Sequence, residues 1–282
     1  MEQCKYEGDS PLYHFTKWPA IQSMLPKKVD TKVSNIIRLY HEDYMNDPKE
    51  GRTLYDYLCS ESDIGSYLKD ILDKRGELLT SSATYLASFT RSSDRLDLWR
   101  AYGGDGNGFC ISVHIKPSNT HSWSQASTIE EGFSLDHLSS LTLYNVQYEE
   151  EQKENFYQEI TKALTPIYEL TSDYPTELKE AVKSVVYSLL SEVVYLFKDE
   201  QYSSEREVRI FQQLNLESVS IDESEIGKLY CTTAPILFNS PQSEIIIGPK
   251  VADKRQVELS IKKRLQIHGF PAKVTHSAIA YR

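Results

Sequence analysis

Glu205, Glu207 and Arg209 alternate within EREVR, and on a β-strand they would share one face while Arg206, Val208 and Ile210 share the other. Carboxylates two residues apart on one face raise each other's pKa. One can then act as a base while the other stabilises developing positive charge. The same pattern also suits a solvated charged face. His14 lies between Tyr13 and Phe15 in PLYHFTK, with Thr16 on its own strand face. It can be a ligand-binding histidine or a packed one. Ser88 and Thr90 close the apolar run ATYLASFT and share a face. Hydroxyls there can hold a neighbouring carboxylate or satisfy edge backbone groups. Trp99, Arg100 and Tyr102 precede the loop GGDGNG. A tyrosine beside such a loop can stack on a planar ring, and glycines let backbone approach a phosphate or amide. A hairpin with an aromatic anchor fits equally.

The elements that must position these residues follow from periodicity. Strands are expected at Pro11–Lys17, Ala83–Thr90, Phe109–Ile115, Leu141–Tyr148, Glu205–Gln212, Pro235–Phe238, Ser243–Ile247 and Ala272–Ser277. Helices are expected at Trp18–Met24, Arg52–Cys59, Asp63–Arg75, Ser92–Tyr102 and Asp253–His268, the last closed by Gly269. Ser34–Tyr44 reads as strand or helix, and Met45–Gly51 as a turn. Glu149–Glu200 is a helical insertion or layer, broken by Pro166 and Pro175. Its apolar face runs through Val182, Val185, Val186, Leu189, Val193, Leu196 and Phe197. Strands in scattered order with helices between give an α+β class rather than regular βαβ alternation. The glycine loop leads into a strand, so it is not a dinucleotide-binding turn.

Composition narrows the class. The 282 residues are 40% hydrophobic and 26% charged, with 12 Gly and 11 Pro, which excludes collagenous and largely disordered chains. The net charge of −10 is poorly suited to sequence-independent binding of nucleic-acid phosphates. The longest apolar-rich run, Val185–Phe197, is interrupted by Glu192 and is too short to span a membrane. The opening MEQCKYEGDS lacks the apolar stretch of a signal peptide. Cys4, Cys59, Cys110 and Cys231 show no metal-binding spacing and read as reduced thiols in a cytoplasmic protein.

Seven short motifs occur in order: YHFT (Tyr13–Thr16), MNDPKE (Met45–Glu50), SFT (Ser88–Thr90), LWRAYGGDGNGFCI (Leu98–Ile111), EREVR (Glu205–Arg209), IIIGP (Ile245–Pro249) and a closing Tyr281-Arg282. Together they resemble a widespread bacterial family catalogued as a domain of unknown function and often found near mobile-element and phage-defence genes. That family distantly resembles ADP-ribosyltransferases of the toxin or phage-defence type. The resemblance implies one domain over residues 1–282, with a split, mixed β-sheet core and the helical insertion at 149–200. It implies NAD as substrate, an ADP-ribosyltransferase or NAD glycohydrolase activity, and no metal. Glu207 would stabilise the cation formed when nicotinamide leaves, and Glu205 would deprotonate the acceptor. His14 would bind the adenosine ribose, with Thr16, Ser88 and Thr90 beside it. Tyr102 would stack on nicotinamide and Arg100 would face the pyrophosphate. A protein or nucleic-acid acceptor and a neutralising partner protein are implied.

Two other classes compete. Glu207-x-Arg209 with Asp47 faintly resembles the acidic strand of a metal-dependent nuclease, although Arg cannot act as a base. A non-catalytic nucleotide-sensing or protein-binding module on the same fold is the other.

Overall fold

The computed structural model describes residues 4–8, 11–28, 37–45, 47, 49, 51–59, 63–73, 83–113, 142–171, 174–222, 227–232, 238 and 240–281. Runs rich in β-branched and aromatic residues pair into one sheet of ten strands. These are β1 (Leu12–Thr16), β2 (Arg38–His41), β3 (Ala83–Thr90), β4 (Phe109–Val113), β5 (Leu143–Asn145), β6 (Glu207–Leu214), β7 (Ser220–Asp222), β8 (Lys228–Thr232), β9 (Glu244–Ile247) and β10 (Lys273–His276). The helices are α1 (Trp18–Met24), α2 (Arg52–Leu58), α3 (Asp63–Asp73), α4 (Leu96–Ala101), α5 (Glu150–Thr171), α6 (Thr176–Val193) and α7 (Lys254–His268). No helix among the described residues is long and apolar enough to cross a membrane. The arrangement is the expected α+β fold with a mixed sheet, in which β9 and β10 run parallel beside antiparallel pairs.

The organising strand is β3. Along one edge it pairs with β6 over its whole length, from Ala83 opposite Leu214 to Thr90 opposite Glu207. The other edge is divided: β1 meets it at Thr90, and β2 meets it at Tyr85 and Leu86. This division is the split in the sheet. Between the two contacts the Ser88 carbonyl accepts a hydrogen bond from His14 Nδ1–H at 3.0 Å. His14 thus fills the gap where β1 leaves β3.

One sheet face carries Leu12, Tyr85, Ala87, Phe89, Ile111, Val208 and Ile210, packed against Ile21 and Met24 of α1 and Ile261 and Leu265 of α7. The opposite face is covered in two patches. Leu86 and Tyr144 pack with Leu54, Leu58, Leu68, Ile71, Val186 and Leu190 from the helical layer. Phe15, Cys110 and Ile246 pack with Leu98 and Trp99 of α4. Each apolar side chain fully buried this way contributes roughly 1.5–3 kcal/mol.

Several expectations shift. Ser34–Tyr44 resolves, where described, into β2 followed by a 3-10 turn at Glu42–Tyr44. The strand expected at Leu141–Tyr148 is only Leu143–Asn145, and Gln147 instead bridges to Phe197. Strands β7 and β8 have no counterpart in the sequence reading. The strand expected at Pro235–Phe238 lies outside the described residues except for Phe238. Pro166 does not break α5, because it is exposed and water can satisfy the carbonyl its missing N–H would have served. In α6 the buried stripe is Val186, Leu190 and Val193, whereas Val185 and Leu189 are exposed. The i+4 steps through Leu190 rotate those two off the packed face.

Burial pushes the His14 pKa down, against the opposing effect of its bond to Ser88. The folded protein therefore keeps this ring neutral while the unfolded chain takes up a proton near pH 6.5. Its contribution to stability is complete above about pH 6.5 and is lost as pH falls toward the lower folded value. Urea midpoints measured from pH 8 to 5 should fall less steeply for His14→Gln than for the native chain. Equal slopes would remove this assignment.

Candidate functional site

Between the two apolar patches, the sheet face opposite α1 and α7 carries a polar centre. It is built at the end of the β3–β6 ladder. Residues Glu200–Glu205 form a 3-10 helix, and Arg206 follows in the left-handed region at φ 46°. β6 then begins at Glu207. Glu205 is therefore not on the strand, and the expected single face of Glu205, Glu207 and Arg209 does not exist. The turn at Arg206 nevertheless folds the Glu205 side chain back toward Glu207.

What joins the two carboxylates is a cation between them. Lys198 Nζ lies 3.0 Å from Glu205 Oε2 and 2.9 Å from Glu207 Oε2. Arg209 closes the other side, with Nε donating to Glu207 Oε1 at 2.6 Å and Nη2 to Oε2 at 2.9 Å. Arg209 Nη1 also donates to the Tyr195 carbonyl. Two carboxylates and two cations balance, which is what lets Glu207 and Lys198 side chains sit at 5% and 6% exposure. Burial would raise the Glu207 pKa, but Arg209, Lys198 and the Ser88 hydroxyl outweigh it and hold the carboxyl at about 2. The mutual raising expected for paired carboxylates is thus reversed at Glu207 by the cations beside it.

Hydroxyls surround this quartet. The Ser88 side chain bonds Glu207. Tyr102 donates from its phenol to Glu205 Oε1 at 2.5 Å. Burial and then the Glu205 bond drive that phenol's pKa up, against the pull of Lys198, so Tyr102 stays protonated. Tyr148 Oη accepts from the Glu207 N–H at 3.0 Å, and Thr90 Oγ1 donates to the Glu205 carbonyl at 2.6 Å. Tyr202 lies 5.5 Å from Lys198 Nζ. Arginines mark the same end of the ladder. Arg91 follows Thr90, Arg206 precedes its partner Glu207, and Arg95 Nη1 donates to the Ser204 carbonyl at 2.8 Å.

Ser88, Thr90, Tyr102, Glu205 and Glu207 are therefore brought together. His14, Thr16 and Arg100 are not. Tyr13, Thr90 and Glu207 lie in one cross-strand row and share a face, so His14 points to the other. There it contacts the Phe89 ring at 5.9 Å and lies opposite Ile111. Thr16, two residues on, shares that face opposite Phe109. Arg100 Nε donates to Tyr281 Oη at 3.2 Å, and the guanidinium covers that ring at 5.0 Å.

The glycine loop packs on its own chain. A Cβ at Gly108 would stand 2.4 Å from the Thr16 carbonyl, and one at Gly248 2.4 Å from the Gly106 carbonyl. Its outer turn is held by Tyr281, which donates to Asp105 Oδ1 at 2.5 Å, and by Lys250, which bonds Asp105 Oδ2 at 2.8 Å.

Lys198, Tyr148 and Tyr202 escaped the sequence reading. A lysine ending the run VVYLF directly before an acidic pair was the available signal for the first. Asp47, the second ligand of the nuclease reading, accepts from the Lys49 N–H at 2.8 Å within a turn. Among the described residues no group of three or more His, Cys, Asp or Glu side chains could hold a metal ion. All four cysteines are free thiols, and burial raises each pKa, to about 11 for Cys59 and about 12 for Cys231. Protonated thiols are poor nucleophiles.

The stretch from α4 into β6 contains Tyr102, Tyr148, Lys198, Glu205, Glu207 and Arg209. Residues 98–210 match the model of DUF2971, a protein family of unknown function. The DUF2971 match thus spans the whole charged quartet and its three phenols, Tyr102, Tyr148 and Tyr202, while Ser88, Thr90 and the first strands fall outside it. No curated protein and no solved structure matches the chain.

Proposed function

We propose that the polar centre catalyses transfer of ADP-ribose from NAD to a macromolecule or to water. The observation that carries this reading is the convergence of two carboxylates, Glu205 and Glu207, under protonated phenols at one strand end flanked by arginines. Breaking the nicotinamide–ribose bond sends its electron pair to nicotinamide and leaves an oxocarbenium-like ribosyl cation. Glu207, held ionised by Arg209 and Lys198, supplies fixed negative charge toward that cation. Glu205 has the more open side chain, at 12% exposure, and accepts the proton of the attacking hydroxyl or amine as the new bond to C1′ forms. Arg206, together with Arg95 and Arg91 on exchanging their present partners Asp97 and Asn145, would receive the pyrophosphate. Arg100 is engaged with Tyr281, and His14 faces away, so the adenosine end has to rely on other groups; Tyr13 is the β1 residue on the correct face.

Glu205→Gln should lower transfer of radiolabelled ADP-ribose to macromolecules in a lysate by about 10²–10⁴-fold, the scale of a general base. Slow release of free ADP-ribose should persist, because water attacks so reactive a cation without prior deprotonation. Equal loss of both products would refute the division of roles. Absence of nicotinamide release by the native chain would refute the reading as a whole.

A second reading has its own support. Both Glu207 oxygens are already paired with cations, and the quartet is neutral without a substrate. This favours a non-catalytic nucleotide-binding module, which would retain NAD in equilibrium dialysis and release no nicotinamide.

A further inference from the structure

Six of the nine exposed large apolar side chains among the described residues, Ile167, Leu170, Tyr174, Leu178, Val185 and Leu189, fall on the end of α5, on α6 or between them. Scattered singly such residues need no explanation, but gathered on one helical unit they mark an interaction surface. On α6 they form a regular stripe. Leu178, Val182, Val185 and Leu189 follow alternating steps of four and three residues, the spacing of a helix-pairing seam. Val182 reaches the edge of the layer's core, whereas Leu178, Val185 and Leu189 are 46%, 61% and 51% exposed.

The stripe is symmetric along its helix. Leu178 and Leu189 are equidistant from the peptide bond between Lys183 and Ser184, and so are Val182 and Val185. Two copies packed antiparallel about a two-fold axis at that point set Leu178 against the partner's Leu189, and Val182 against the partner's Val185. An isologous interface demands such a self-matching surface.

The next step of the stripe obeys the same symmetry. Glu192 makes no hydrogen bond or ion pair among the described residues, and burial pushes its carboxyl up to about 7. The residue equidistant on the other side is Pro175, the N-cap of α6, whose side chain offers nothing to the first-turn N–H groups. The antiparallel register thus lays the Glu192 carboxylate of each copy on the open N-terminus of the partner's helix, where backbone dipoles favour negative charge. Glu177 in that turn is one residue from Leu178, about 100° around the helix from the stripe. A different protein has no reason to match this register.

We propose that α6 is the contact of a homodimer, in which two copies pair this helix antiparallel about a two-fold axis near Lys183 and Ser184. The surface goes beyond the NAD reaction and does not depend on it.

Sedimentation equilibrium of the full chain should show a reversible dimer, of twice the 32.4 kDa chain mass, with a dissociation constant of roughly 1–100 µM, as suits an interface below standard size. Val185→Glu combined with Leu189→Glu should weaken it about hundredfold or more, and both positions are exposed enough for the fold to tolerate the change. Glu192→Lys should weaken it about tenfold. Leu259→Glu, equally exposed but on α7, should leave it unchanged. The register is read in a Cys59→Ser background, where the remaining native thiols are buried. A mixture of Leu178→Cys and Leu189→Cys chains should be joined by a short bismaleimide, and Leu178→Cys chains alone should not. A chain still monomeric at about 100 µM would overturn the proposal and leave the face to a different partner. A dimer unaffected by either stripe variant, weakened by Leu259→Glu, or linked through Leu178→Cys alone would overturn it as well.

Discussion

Glu207→Gln is expected to cost about 3–5 kcal/mol of folding stability, because it leaves two buried cations facing one carboxylate. Domains are stable by only about 5–15 kcal/mol, so the variant would approach unfolding at physiological temperature. Arg209→Met should be comparably harmful, since it strips Glu207 of its bidentate partner. The combined Glu207→Met/Arg209→Met chain should recover at least half of either single loss, because Lys198 then pairs with Glu205 alone and the centre is neutral again. Urea midpoints of the four chains decide the matter, and additive losses would show that the pair does not act as a unit. The native chain should also lose stability in acid. Its Glu207 carboxyl is held at about 2 when folded against roughly 4.3 when unfolded. That contribution is complete above about pH 4.3 and disappears as pH falls toward 2. Glu207→Gln should lack this acid-dependent loss.

Gly108→Ala and Gly248→Ala are each expected to cost about 3 kcal/mol or more, at the upper end for overpacking. The obstruction is backbone and cannot rotate away. The Gly108 Cβ would meet the Thr16 and Gly103 carbonyls at 2.4 and 2.7 Å, and the Gly248 Cβ those of Gly106 and Gly108 at the same distances. Thr16 is fixed by its pairing with Phe109, and Gly248 by its hydrogen bond to the Gly108 carbonyl. Gly269→Ala is the control. Its Cβ would meet nothing within 4 Å, and only its φ of +69° is unfavourable. It should cost about 1–2 kcal/mol. Thermal or urea unfolding that ranks the three alike would contradict this account of the glycine loop.

The residues of the candidate site were legible where chemistry is carried by type and local spacing. Ser88, Thr90, Glu205 and Glu207 could be chosen because a short hydroxyl motif and an acidic strand each have few uses. Which face a strand residue takes was not legible for YHFT. Apolar or aromatic residues stand on both sides of that strand, so alternation has no visible phase. Tyr13, not His14, therefore lies on the face of Thr90 and Glu207. Lys198 was hidden for another reason. Its position is set by a non-local link, in which its N–H bonds the Gln147 carbonyl and Gln147 bridges to Phe197. Local periodicity carries no trace of such pairing. The left-handed turn at Arg206 was similarly hidden, because a non-glycine residue at positive φ has no sequence marker.

The pairing of β3 with β6 also dictates an order of events during synthesis. Thr90 and Glu205, which bond across the ladder's end, are 115 residues apart in the chain. At 5–20 residues per second, a ribosome needs roughly 6 to 23 s to deliver the second after the first. Throughout that interval β3 presents a long, largely apolar edge with no strand to cover it, a template for pairing with another nascent chain. The helices α5 and α6 emerge in the meantime and can form from local contacts. The quartet can assemble only then, since Glu207 and Arg209 leave the ribosome after Lys198 and only the arriving β6 closes the edge; β8, β9 and α7 follow it onto the sheet.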